Sequence, residues 1–185
     1  DLVHAEVYLC MRVFLCRFAS QHLTGFWPII LTEMVRILAQ AKVDLPADKS
    51  DRLQLVFSVV KLADFLITLQ TDDFQIHQWL LITDTPDATN PASSYMADSL
   101  LDCLAKFVSE CQRELVFDAN DSLERAQQRR PLLQMSSVAT ISTLQPFFAT
   151  ASRAFYQCDF HATLDWDNIN AVSYTHLRAH ETKAN

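Results

Sequence analysis

The sequence predicts an all-α protein, with five or six helices in an antiparallel bundle or a slice of α-solenoid. Three observations carry that prediction. The 185 residues include one Gly and six Pro, too few turn formers for a sandwich or barrel and too few glycines for a phosphate-cradling loop. Half of the residues are hydrophobic and a fifth are charged, the composition of a folded rather than a disordered chain. Apolar residues also recur at helical spacing in one segment after another. Residues 1–171 are expected to form a single helical domain with one core. The chain starts at Asp1 with the helical pattern already running at Leu2, as expected of a fragment of a larger protein.

Residues 2–23 are apolar on nearly every face, broken only by His4, Glu6, Arg12 and Arg17. That pattern predicts a first helix packed on several sides, ended by Thr24-Gly25 with the glycine just past its last turn. Pro28 suits the first turn of a second helix, where its missing N–H would be unpaired anyway. This helix, about residues 27–41, sets Ile30, Met34, Ile37 and Leu38 on one side and Glu33, Arg36 and Gln40 towards water. After a polar loop at 42–50, Ser50 or Asp51 can cap a mostly apolar third helix over 52–69, in which Lys61 and Asp64 are spaced to pair. A short fourth helix is expected over 71–82, opened by an acid. The fifth, about 93–117, is expected to start at Ser93 or Ser94 and repeats Met96, Leu100, Leu104, Phe107, Cys111 and Leu115. A last helix is expected over 136–160, with Pro146 marking its true start.

Function classes narrow quickly. A net charge of −7 argues against nucleic acid, which needs clustered Lys and Arg. Cys10, Cys16, Cys103, Cys111 and Cys158 contain no C-x-x-C and sit in apolar helical contexts, so they are expected to be reduced core cysteines of a cytosolic protein. No apolar run approaches the roughly 18 residues of a membrane span. No nucleophile elbow, zinc-protease motif or P-loop is present. Asp72-Asp73 is explained by the preference of helix N-termini for acids, and His22 and His77 by structural roles. No enzyme activity, catalytic residue, cofactor or metal is therefore expected. Two aromatic segments stand out: Phe26 and Trp27, then Phe74 and Trp79. They are core wedges by default and partner anchors otherwise. Arg125, Arg129 and Arg130 form the one basic cluster outside the tail. Arg125 and Arg129 share a helical face, so anionic lipid head groups are a second candidate partner. Association with another copy of the chain is a third.

Residues 22–38, HLTGFWPIILTEMVRIL, and 55–82, LVFSVVKLADFLITLQTDDFQIHQWLLI, together resemble the C-terminal region of the Dopey proteins. The shared pattern is the FWPIILTE segment, the apolar helix carrying K-x-x-D, and the DDFQ-x-x-QW turn. Residues 131–157 and 164–170 resemble the continuation of the same region. The resemblance implies a piece of a very large cytosolic protein, peripheral on Golgi and endosome membranes. It further implies a non-enzymatic scaffold in endosome–Golgi traffic, whose partner is a large helical-repeat trafficking protein.

The tail 172–185, VSYTHLRAHETKAN, holds His176 and His180 four residues apart with Glu181 beside the second, a spacing that invites a zinc reading. It also resembles the translation of a transposase-based sequencing adapter. The expectation is a non-native, disordered tail carrying no metal site.

Overall fold

The computed structural model describes residues 1–19, 22–77, 81, 99–111, 129–157 and 163–172. Its elements are helical, and the one β feature among the described residues is an isolated parallel bridge between Arg129 and Leu164. The expected all-α class is what the structure shows.

Helix α1 (Leu2–Arg17) is shorter than its apolar pattern predicts. Phe18 leaves helical geometry at φ −109 and ψ 147, and a turn with His22 N–H donating to the Ala19 carbonyl at 3.0 Å comes next. Leu23 is buried through that turn rather than through helical periodicity, which is why the apolar pattern runs on past the helix end. Gly25 is not a left-handed cap. It lies in a 3-10 turn, Thr24–Phe26, and its φ is not positive. The expected packing on several sides is also corrected, since α1 buries Ala5, Tyr8, Leu9, Met11, Arg12 and Leu15 while Val3, Val7 and Phe14 face solvent.

Helix α2 (Trp27–Val43) begins with Pro28 in its first turn, as predicted. Leu31, Met34, Ile37, Leu38 and Ala41 face the core. The loop to α3 is closed by Arg52, which donates to Asp44 at 2.6 Å and to the Gln40 carbonyl at 3.3 Å. Helix α3 (Asp51–Leu69) is capped by Ser50, whose Oγ accepts from Leu53 N–H at 3.1 Å, satisfying one of the unpaired donors of the first turn. It ends at Gln70, which takes up left-handed geometry at φ 50. Gln70 secures that end by donating its side-chain amide to the Ile67 carbonyl at 2.8 Å.

From Leu53 to Thr68 only Gln54 of α3 is not buried, so α3 is the central helix. Helices α1, α2 and α6 (Gln145–Gln157) all pack against it. Helix α4 (Asp72–His77) begins two residues after Gln70. Helix α5 (Leu100–Cys111) joins α2 to α6 and starts at Ser99, which accepts from Asp102 N–H at 3.2 Å and donates to the Asp102 carboxylate at 2.8 Å. That cap sets Ser99 at the start of the described helix, and the expected start at Ser93 or Ser94 lies outside the described residues. From residue 129 to 140 the chain is non-helical and a 3-10 turn follows at Ile141–Leu144, so Pro146 does mark the helix start and residues 136–140 do not belong to it. The last helix among the described residues, α7 (residues 166–172), is capped by Asp165, whose carboxylate accepts from Asn168 N–H at 3.0 Å.

Two apolar clusters result. The large one joins α1–α3, α5 and α6, with Trp27, Phe57, Phe74 and Phe148 as its bulkiest members. The small one sets Ile169 and Val172 of α7 on Phe65 of α3, with Cys16 and Leu164 alongside. Val172, assigned by sequence to the tail, is therefore packed; residues 173–185, with His176, His180 and Glu181, lie outside the described residues.

Candidate interaction surface

On α1, Val3, Val7, Cys10 and Phe14 recur at a 4-3-4 spacing, which lines one face of a helix. All four are exposed, Val3 by 75%. Phe18 extends the row, and its ring meets Phe14 edge-on at 5.3 Å between centroids. At the start of α2, Phe26 and Ile29 are also exposed, by 57% and 68%. Single surface apolar residues need no explanation, but a run of large ones along one helix and the corner after it is a candidate interaction surface.

The four aromatic candidates separate. Trp27 is 1% exposed and Phe74 is fully buried, so both are core wedges and cannot anchor a partner. Phe26 stays on the surface, and Trp79 lies outside the described residues. The sequence does not single out Val3, Val7, Phe14, Phe18 or Ile29. Their signal is present as an excess of apolar residues on α1, but that excess by itself predicts packing on several sides.

Arg129 and Arg130 are half-buried, and Arg125 lies outside the described residues. The Arg129 backbone donates to the Thr163 carbonyl and accepts from Asp165 N–H, each at 3.1 Å. These bonds form the bridge that ties the segment before Pro131 to the entry of α7. The expectation of core cysteines is corrected for Cys10, which is exposed; Cys16 and Cys103 are half-buried, and none of the three is in a disulfide.

The most unusual chemistry lies inside. Asp64 is 1% exposed, and its two carboxylate oxygens accept from Leu132 N–H at 2.9 Å and Leu133 N–H at 2.8 Å. Lys61, expected to pair with Asp64, makes no hydrogen bond; its Nζ sits 5.1 Å from the Phe57 ring centroid. Burial, then the neighbouring Arg12 charge, pull the Lys61 ammonium down to about 8, against the attraction of Asp64. Arg12, fully buried on α1, leaves all three guanidinium nitrogens without a hydrogen-bond partner. Burial holds its pKa down at about 10, with Glu6 acting in the opposite sense. Tyr8 is pushed up to about 12 by burial and by Glu33. Among the described residues no group of His, Cys, Asp and Glu could hold a metal ion. No described helix is long and apolar enough to cross a membrane.

Against known proteins, the family model described as DOP1 C-terminal matches residues 1–160. The chain belongs to the DOP1 (Dopey) family. It is 25% identical over 183 residues to Protein DOP1B of Xenopus laevis, an alignment covering 82% of this chain and 8% of that protein. The corresponding mouse protein is 27% identical over 189 residues, covering 84% of this chain and 8% of the relative. Protein dop1 of Emericella nidulans is 32% identical over 101 residues, 53% of this chain and 5% of that one. The chain thus spans less than a tenth of the length of these DOP1 relatives. No solved structure matches it.

Proposed function

We propose that this DOP1 segment is a non-enzymatic interaction module of a trafficking scaffold acting between endosomes and the Golgi. Its working surface is the outer face of α1 with the corner leading into α2. The observation that carries the reading is the exposed row Val3, Val7, Phe14 and Phe18, continued by Phe26 and Ile29. A cytosolic location, peripheral on those membranes, and a large helical-repeat protein as partner belong to the same proposal. The support for them is membership of the DOP1 family together with the family resemblance of the sequence.

A second reading places Arg129 and Arg130, with Arg125, against anionic lipid. What favours it is that the backbone of Arg129 is pinned in the bridge to Leu164, so the side chain of Arg129 starts from a fixed point. The net charge of −7 opposes it.

Affinity capture from cytosol with the 185-residue chain, run beside flotation on liposomes rich in phosphatidylserine, tests both. Recovery of a helical-repeat trafficking protein, lost in a Phe14→Ser, Phe26→Ser variant that still folds, supports the module. Flotation that falls steeply with salt and with Arg129→Gln, Arg130→Gln, with no protein recovered, would move the function to the membrane surface.

A further inference from the structure

Arg12 and Lys61 face each other's charge across the seam between α1 and α3, one fully buried and the other 1% exposed. Among the described residues neither side chain makes a hydrogen bond. A guanidinium carries five N–H donors and an ammonium three, so eight strong donors meet in one apolar seam with nothing to receive them. The adjacent acid does not fill the role by hydrogen bonding, because Asp64 is engaged by Leu132 and Leu133 N–H. The Phe57 ring under Lys61 offers a partial counterweight.

Two buried like charges without hydrogen-bond acceptors are among the most costly arrangements a core can hold. Lys61 has one means of relief, which is to lose its proton. Arg12 does not, since it remains cationic at neutral pH even with its pKa held down. With both cations protonated, the buried Asp64 carboxylate offsets only one of them, so a positive charge is left over in the seam unless an anion joins it.

We propose that the Arg12–Lys61 pair is the binding site of one carboxylate-sized oxyanion, held between α1 and α3. The guanidinium fork presents two parallel donors to such a group, and the ammonium supplies a third from the facing helix. The buried nitrogens leave no surface to solvent, so the anion enters as the α1–α3 seam opens. Helix α1 is suited to such opening, because its far face, with Val3, Val7 and Phe14, carries nothing among the described residues. The seam lies on the opposite face of α1 from the proposed partner surface, so either site can fail its test without the other.

Thermal unfolding of the 185-residue chain at pH 7 tests the anion site, with sodium formate replacing chloride at constant ionic strength. The expected result is a saturable rise in Tm, about 5–10 °C at a hundredfold excess over Kd. Arg12→Met with Lys61→Met should abolish that response while folding at least as well as the parent. Lys61→Met alone is a second variant should the double one fail to fold, and it should respond only weakly. In the parent, the Lys61 Cε resonance should report a higher amine pKa once formate saturates. A rise that is linear in formate and equal in parent and variants, no rise at all, or an unmoved Lys61 titration would each overturn the site.

Discussion

Asp64 shows how much one side chain can organise. Its carboxylate accepts two backbone N–H groups from residues 132 and 133, nearly seventy positions along the chain, and so fixes the Pro131–Leu133 segment on α3. Hydrogen bonds to a charged group are worth about 1.5–3 kcal/mol each. Asp64→Ala should therefore destabilise the chain by about 3 kcal/mol or more, measured by urea denaturation, whereas Asp64→Asn retains one acceptor and should lose less. Lys61 makes the opposite contribution. Its folded pKa, about 8, lies below the ordinary lysine value of 10.5, so between those values the unfolded chain holds more protons than the folded one. Stability should then rise with pH through 8. In formate-free buffer Tm should increase from pH 7.5 to 9.5, and Lys61→Met should be more stable than the parent at pH 7 with that slope removed. Above pH 10 the rise should level off, because Tyr8 must then be kept neutral in the fold while Arg12, held down at about 10, still acts in the opposite sense. The K-x-x-D spacing announced a polar pair in an apolar helix; the acid's actual partners were hidden because they are backbone groups distant in sequence.

At the scale of elements, the starts were more legible than the ends. Ser50, Pro28 and Pro146 act through local rules, a hydroxyl reaching a first-turn N–H or a ring that suits a first turn, and each stands where the sequence placed it. Ser50→Ala should cost about 1 kcal/mol, seen as a lower midpoint at unchanged m-value. Helix ends depended on packing. Helix α1 stops at Arg17, short of the expected glycine, because Leu23 must reach the core by a turn, and α3 ends on a left-handed Gln70. The same distinction explains the exposed apolar face of α1. Composition showed that α1 is apolar all round, but only packing shows that α3 covers one side of it. Substitutions on the two sides should therefore behave differently. Val7→Ser, on the exposed face, should change stability by no more than about 0.5 kcal/mol while weakening partner capture. Leu66→Ala in α3, fully buried, should cost about 3 kcal/mol.

Across the whole molecule, the small cluster on Phe65 connects the last described residues to the central helix. Ile169 and Val172 of α7 cover Phe65, Leu164 packs beside them, and the backbone of Arg129 is bonded to residues 163 and 165. The segment from 163 to 172 thus contributes hydrogen bonds to a residue about thirty-five positions earlier and apolar cover to one about a hundred positions earlier. The sequence divided the chain at 171 because residues 172–185 resemble adapter sequence, whereas packing carries the fold one residue further, to Val172. A truncation series gives these two boundaries different consequences. A chain ending at residue 172 should keep the Tm of the full chain, because the packing on Phe65 stays complete. Ending at residue 162 uncovers Phe65 and removes two buried aliphatic side chains, each worth about 1.5–3 kcal/mol, so a loss of about 3–6 kcal/mol is expected. Urea denaturation of the three chains checks this. Equal midpoints for all three would show that α7 adds nothing to the core, and a large drop on removing 173–185 alone would show that the tail is a structural part of this DOP1 segment.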